Sequence, residues 1–144
     1  MNSLYLIARV AGERIAISAD AVQSVVEIDA LTPVPIAPRH IAGLSALRSR
    51  VLTVIDTYAA LGLESSWAGG IRQVVVVIID GHLYGLAVED VHDVAEISGE
   101  PQRLRGSMGQ GWSHVASSYV EYDGQPLLVV NAAALISGPV AAAA

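Results

Sequence analysis

The chain has 144 residues, of which 53% are hydrophobic and 15% charged, and its net charge is −6. This composition excludes a disordered chain, and the length suits one domain with a sizeable core. The eight Lys and Arg form no basic stripe and cysteine is absent, which excludes a nucleic-acid binder, a disulfide framework and a thiolate metal site. The longest fully apolar run, within Val74 to Ile79, is too short to span a membrane. The first residues lack a signal peptide, so we expect a cytoplasmic protein without membrane insertion.

The sequence contains an internal repeat. Tyr5 to Ile28 aligns with Val74 to Ile97, with matching glycine and apolar positions. Further on, Val54 to Asp56 aligns with Val129 to Asn131. The second copy has a longer middle loop, which we place at Glu100 to Gly111 because that stretch is rich in Gly and charge. One strand module is therefore used twice.

In chain order, each copy is predicted to contain five strands and a short helix. The β-branched content favours strands, and the Asp-Gly pairs Asp80-Gly81 and Asp123-Gly124 are typical of two-residue hairpin turns. Asp56 and Asn131 suit helix N-caps because their side-chain oxygens accept from first-turn amides. Predicted strands of the first copy are Leu4 to Val10, Glu13 to Ser18, Val22 to Ile28, Ile41 to Arg48 and Val51 to Ile55, with a helix over Thr57 to Leu61. Those of the second are Gln73 to Ile79, Leu83 to Ala87, Val91 to Ile97, Val115 to Tyr122 and Gln125 to Val130, with a helix over Ala132 to Ile136.

The predicted fold class is all-β. A short five-stranded module removes its open edges by curling closed, so we expect two small β-barrels in tandem pseudo-repeat, with short helices. The chain is then a single domain, residues 1–144. Residues 4–63 form the first barrel, 64–72 a linker, 73–137 the second barrel and 138–144 a flexible tail.

No pattern in the sequence indicates catalysis. The four histidines (His40, His82, His92 and His114) do not share helical metal-binding spacing with a carboxylate, and most lie beside predicted turns. We expect solvated or hydrogen-bonded surface histidines and no metal. The sequence also has no Gly-x-Ser-x-Gly elbow and no glycine-rich loop leading into a helix. We therefore expect neither an enzyme nor a cofactor.

One stretch carries a family resemblance. Thr32 to Asp56 reads TPVPIAPRHIAGLSALRSRVLTVID: a Pro-rich approach, Gly43-Leu44, Leu47-Arg48 and an apolar strand that ends in Asp56. This resembles the CheW family, the coupling proteins of bacterial chemotaxis, whose pattern is close to Gly-Leu-Ile-Asn-Leu-Arg-Gly followed by Val-Leu-Pro-Val-Ile-Asp. The resemblance continues through Gly85 to Val91 and Leu127 to Val130, and so covers essentially the whole chain.

The sequence departs from this family pattern at four positions. Ala46 stands where the family often has Asn, and Ser49 replaces the usual turn glycine. Thr53 replaces Pro, and Asn131 replaces a frequent Asp. Losing the glycine costs on the order of 1 kcal/mol if the turn requires a positive φ.

The resemblance implies two five-stranded, SH3-like β-barrel subdomains around a shared core. It also implies a non-catalytic adaptor that couples transmembrane methyl-accepting chemoreceptors to the histidine kinase CheA. Receptor-tip helices would lie in a groove between the barrels, and the CheA regulatory domain would dock barrel to barrel. The protein would be cytoplasmic and reach receptor arrays at the inner membrane through its partners. An accessory or divergent CheW-like protein of another CheA-type pathway, for surface motility or development, is the alternative.

The resemblance assigns receptor binding to Val22, Gly43, Leu44 and Arg48, and leaves the kinase-binding residues unassigned. Arg48 presents a guanidinium that can bind carboxylates or carbonyls, although a solvated arginine at a hairpin is the other interpretation. Val22 suits an ordinary core position equally well, and Gly43 suits backbone geometry. Leu44 and the loop Leu31 to Ile36 are candidate apolar contacts.

A second function class stays open on the sequence alone. The apolar composition, with Trp67 and Trp112 outside the clearest strands, is compatible with a small-molecule sensor that uses the cleft between the barrels. Tryptophans at such positions suit interface anchors or lids over a barrel end. The sequence favours the adaptor because the repeat and the family pattern both indicate a binding module.

Overall fold

The structure is a computed structural model that describes residues 2–63, 71–104 and 110–138. Its strands are β1 (Asn2–Val10), β2 (Glu13–Ser18), β3 (Val22–Ile28), β4 (Ile41–Leu47), β5 (Arg50–Ile55), β6 (Arg72–Ile79), β7 (His82–Val88), β8 (Asp90–Ser98), β9 (Gln102–Arg103), β10 (Ala116–Tyr122) and β11 (Gln125–Val130). Its helices are α1 (Thr57–Ala60), α2 (Gln110–Val115) and α3 (Ala132–Ser137).

The mostly-β class is confirmed, and so are both helix caps. The Asp56 carboxylate accepts from the amide of Ala59, and the Asn131 side chain accepts from that of Ala134, each at 3.2 Å. Strand β9 lies in the stretch Glu100 to Gly111 that we expected to be a loop, and helix α2 begins at the end of that stretch. Val115 ends α2 rather than beginning a strand. The predicted linker falls largely, and the tail almost wholly, outside the described residues.

The strands form two sheets, in the orders β8-β1-β2-β11-β10-β9 and β3-β6-β7-β5-β4. Each sheet takes strands from both repeats. The physical reason is that the third strand of each copy leaves its own hairpin: β3 pairs with β6, and β8 pairs with β1. The division of the chain into barrels at 4–63 and 73–137 stays a prediction. No ladder between described residues closes either sheet into a barrel.

The strand pairing in the two sheets matches the sequence repeat residue by residue. In one sheet β5 runs parallel to β7, with Thr53 opposite Tyr84. In the other, β11 runs parallel to β2, with Leu128 opposite Ile15. Thr53 aligns with Leu128 in the repeat, and Ile15 aligns with Tyr84, so the two parallel ladders are equivalent. The duplicated module therefore gives two sheets with the same internal pairing.

The core has three parts because the inner strands are covered on both faces. On β1, Leu6 and Ala8 face a core shared by the two sheets, whereas Tyr5 and Ile7 face a core within the six-stranded sheet. Strand β6 alternates in the same way between the shared core and the core of the five-stranded sheet. The shared core lies between the sheets and also takes in the helices; its fully buried members include Ile15, Ile17, Ile55, Val75, Val77 and Leu86.

Four hairpins have central turn residues with positive φ, as type I′ turns require. Gly12, Gly81 and Gly124 occupy the second central position in three of them. In the β4–β5 hairpin, Arg48 and Ser49 have φ of 50° and 69°. The turn therefore has the positive-φ backbone that glycine favours, although Ser49 occupies its second central position.

We expect Ser49→Gly to raise the free energy of unfolding by about 1 kcal/mol, because glycine enters the left-handed region without a Cβ clash. Urea denaturation of the purified chain measures this change. The matched reverse substitution, Gly81→Ser, removes the glycine from an equivalent turn and is expected to lower stability by a similar amount. An unchanged or lower midpoint for Ser49→Gly would contradict the assigned turn strain.

Two fragments produced by cutting within residues 64–70 are expected not to fold separately. Each sheet needs strands from both fragments, so each fragment alone leaves unpaired edges and half of the shared core exposed. Mixed in equal amounts, they are expected to recover the circular dichroism and amide NMR spectra of the intact chain. A cooperative unfolding transition in either isolated fragment would show that strand exchange between the repeats is not required.

Candidate functional site

The loop before β4 is tied to that strand by two backbone hydrogen bonds. The amide of Thr32 donates to the Leu44 carbonyl at 2.9 Å, and the amide of Leu44 donates to the Thr32 carbonyl at 2.8 Å. Strand β4 is an edge of the five-stranded sheet, so this bridge adds a short segment beyond it. The structure thus brings together Gly43, Leu44 and the loop Leu31 to Ile36, which were separate candidates in the sequence.

Gly43 makes this close approach possible. It is buried at a β-bulge with φ of 156°, and a Cβ placed there would lie 2.8 Å from the Thr32 carbonyl oxygen and 3.1 Å from the Leu31 Cβ. A carbon cannot come this close to backbone oxygen without displacing the loop. Of the two roles considered for Gly43, the structure therefore supports backbone geometry.

Apolar side chains are exposed along this loop and the neighbouring hairpin. We call Val34, Ile36, Leu44 and Val51 the apolar face. Leu44 is half-buried and Val51 is 64% exposed; they share one side of the sheet because Leu44 pairs with Thr53, two residues after Val51. Ile36 is fully exposed and has φ of 62°, a strained conformation for a β-branched residue. Leu44 and Val51 thus place apolar side chains on the same side of the sheet edge, and Val34 and Ile36 add exposed apolar groups on the anchored loop.

Two arginines lie at the tip of the β4–β5 hairpin. Arg48 occupies the turn beside the apolar face, and Arg50 begins β5 on the opposite side of the strand from Val51, because neighbouring residues of a strand alternate. Both are exposed, and neither guanidinium has an ion pair or side-chain hydrogen bond with another described residue.

Val22 lies apart from this group. It begins β3, the opposite edge of the same sheet, where it pairs with Val77 and packs against the shared core. Its repeat counterpart Val91 packs against the same core. The structure supports a core role for Val22 and does not join it to β4 through strand pairing.

Sequence reasoning missed the role of His40, which was expected at the surface. His40 is 6% exposed, and its Nε2 donates to the Ile136 carbonyl at 2.8 Å, which ties the start of β4 to α3. Its own carbonyl accepts from the Asp56 amide at 2.8 Å. In the sequence, the only sign that His40 is buried is its position directly before an apolar strand. Within the described ranges, no group of three or more histidines and carboxylates is arranged to hold a metal.

The structure describes one of the two candidate tryptophans. Trp112 is half-buried in α2 and packs against the shared core, which supports the lid interpretation. Trp67 lies outside the described residues. No helix in the described part of the chain is long and apolar enough to cross a bilayer.

Two equivalent sheets around a shared core define a duplicated, strand-built domain with SH3-like subdomains. The chain belongs to the CheW-like domain family, which it matches over residues 4–139, and the family resemblance is thereby confirmed. It is similar to a chemotaxis protein CheW of Rhizobium meliloti (strain 1021), with 28% identity over 90 residues, 62% of this chain and 58% of that relative. The match thus spans little more than half of the relative's length.

The fold has a counterpart among solved structures. The crystal structure of the scaffolding protein TtCheW from Thermoanaerobacter tengcongensis superimposes with a TM-score of 0.77 and 22% identity. The superposition covers 91% of this chain and 90% of that one. At this identity the match establishes a shared fold, and it includes both sheets.

We expect Gly43→Ala to destabilise the fold by about 1–3 kcal/mol, because the new methyl group displaces the Thr32 carbonyl and opens the bridge to Leu44. Amide hydrogen exchange at Thr32 and Leu44 should accelerate together. Ser45→Ala, two residues along the same strand, is the matched control and is expected to change stability by less than about 0.5 kcal/mol. Unchanged exchange at both amides in Gly43→Ala would contradict the steric role.

Proposed function

We propose that this chain is a non-catalytic adaptor that couples transmembrane methyl-accepting chemoreceptors to the histidine kinase CheA. Its membership of the CheW-like domain family and the name of its Rhizobium relative support a chemotaxis role. The observation that carries the proposal is the apolar face beside the exposed turn residue Arg48, on a sheet edge that backbone hydrogen bonds hold in place.

This surface has the chemistry needed to bind the helical tip of a receptor. An amphipathic helix docks by laying apolar side chains against an apolar surface, and Val34, Leu44 and Val51 offer that contact. Arg48, in the turn at the end of the hairpin, then reaches carboxylates along the helix, to which a guanidinium can donate two hydrogen bonds at once. The apolar contact supplies affinity, while Arg48 sets the orientation of the helix.

Kinase binding requires a second surface, because an adaptor holds both partners at once. We propose that the CheA regulatory domain docks sheet to sheet, away from the apolar face, and the contact residues stay unassigned. The adaptor works in the cytoplasm and meets receptor arrays at the inner membrane through these partners. It adds no chemistry of its own; its contribution is the fixed geometry between receptor and kinase.

A divergent CheW-like role in another CheA-type pathway is the second candidate, and one observation favours it. Ala46 is exposed and pairs with Val51 at the apolar face, where the family often has Asn. Replacing an amide by a methyl group makes the face more apolar and removes a hydrogen-bonding group. Such a change suits receptors that carry a different residue opposite Ala46, in a pathway for surface motility or development.

Arg48→Glu is expected to weaken binding to a receptor-tip fragment by about tenfold, because charge reversal replaces attraction with repulsion at a site of modest burial. Isothermal titration calorimetry against the purified receptor-tip fragment measures this loss of affinity. Binding to the CheA regulatory domain and the unfolding midpoint are expected to stay at their original values.

Arg9→Glu is the matched control, since Arg9 is also exposed but lies on β1 in the other sheet. It is expected to leave receptor affinity unchanged. If the Arg48→Glu and Arg9→Glu variants bind the receptor fragment equally well, the hairpin is not the receptor site.

A further inference from the structure

Ile36 is the most exposed large apolar residue in the described part of the chain. Its fractional exposure is 103%, against 69% for the next, Ile71. A side chain that stays surrounded by water gains no transfer free energy from folding. Ile36 therefore adds nothing to the packing of its own domain.

The backbone of Ile36 is also in an unfavourable conformation. The amide of Ala37 donates to the Val34 carbonyl at 3.4 Å, which closes a four-residue turn with Pro35 and Ile36 at its centre. The proline ring fixes φ at about −65°, and Ile36 has φ of 62°, the combination found in a type II turn. The second central position of such a turn favours glycine or asparagine, because a Cβ crowds the following carbonyl there. A β-branched residue is poorly suited to it.

The rest of the loop holds this strained turn in place. On one side, the bridge between Thr32 and Leu44 ties the loop to β4. On the other side, the amide of Ile41 donates to the Pro38 carbonyl at 3.0 Å and closes a second turn, which the buried His40 side chain anchors to α3. The loop is thus fixed at both ends, and the turn between them presents its side chain in one direction.

A residue that is strained and gains no burial in its own chain indicates a role outside that chain. Backbone strain of this kind persists where the surrounding structure enforces it, and it clusters at functional sites. Ile36 lies on the same anchored edge as Leu44, so the partner that contacts the apolar face also meets Ile36. A helical partner suits a single projecting side chain, because its surface has holes framed by four residues of successive turns.

We infer that Ile36 is the anchor residue of the receptor site, held out by the strained turn for insertion into an apolar hole on the helical receptor tip. The inference rests on the proposed function, because it takes the receptor tip as the partner. It adds that the largest apolar contribution comes from the turn rather than from the strand positions Leu44 and Val51. Burial in the partner then offsets the strain that the free chain carries.

Two substitutions separate the strain at Ile36 from its use. Ile36→Gly and Ile36→Asn each introduce a residue that accepts positive φ, so each is expected to raise the urea midpoint of the full-length chain. Each also removes the apolar side chain, and is expected to weaken binding to the receptor-tip fragment by about tenfold or more in calorimetric titration. Stability and affinity thus change in opposite directions, which a purely structural residue would not show.

Two further variants serve as controls. Ile36→Leu keeps an apolar side chain of the same size and is expected to bind within about twofold of the unsubstituted chain. The heat-capacity change on binding should be more negative for Ile36→Leu than for Ile36→Asn, because buried apolar area determines it. Val94→Thr alters an exposed valine on β8, in the other sheet, and should leave receptor affinity unchanged.

The possible results distinguish this inference from the proposed function. If the unsubstituted chain binds no receptor tip, the proposed function is wrong and the inference is wrong with it. If that chain binds and Ile36→Asn binds equally well, only the inference is overturned. Equal losses of affinity in Ile36→Leu and Ile36→Asn would also overturn it, and so would unchanged or lower urea midpoints in both Ile36→Gly and Ile36→Asn.

Discussion

Everything in this structure depends on two parallel ladders that join the repeats, β2 to β11 and β5 to β7. Each ladder connects a strand from one copy to a strand from the other, so neither sheet exists without both copies. The same exchange places β1, β2, β6 and β7 between apolar layers, which explains why their residues are buried on both faces. The result is one cooperative domain rather than two subdomains in sequence.

This interdependence gives the outer strands a rigid support. Strand β4 is held from one side by β5 and from the other by the bridge to Thr32, which depends on Gly43 having no side chain. His40 fixes the start of β4 to α3 through a buried hydrogen bond. An apolar face on such a support has little conformational freedom, so the proposed binding of a partner there would cost little ordering entropy. The duplication supplies a second sheet edge with the same strand pairing, where Tyr119 lies opposite Gln102 as Leu44 lies opposite Thr32.

Much of this architecture follows from the sequence, because its signals are local. Alternation, hairpin pairs such as Asp80-Gly81 and the caps at Asp56 and Asn131 each act over a few residues, and they predicted the strands and helices. Which strands pair across the molecule is decided by contacts far apart in the chain, so contiguous barrels were an equally good solution to the local pattern. Strand β9 and α2 have too few residues to show a period. The burial of His40 depends on α3, at the far end of the chain.

The order of synthesis gives the strand exchange a further meaning. On the ribosome, β1 and β2 can pair as soon as they emerge, and so can β4 and β5. However, β2 emerges long before its second neighbour β11, and β3 emerges before β6, so these strands lack their long-range partners until part of the second copy has been made. Long-range pairings of this kind form slowly, and unpaired apolar edges are prone to aggregate. Nascent chains of this protein therefore expose these unpaired sheet edges until the second copy has been synthesised. The repeat that builds both sheets is also the cause of this delay.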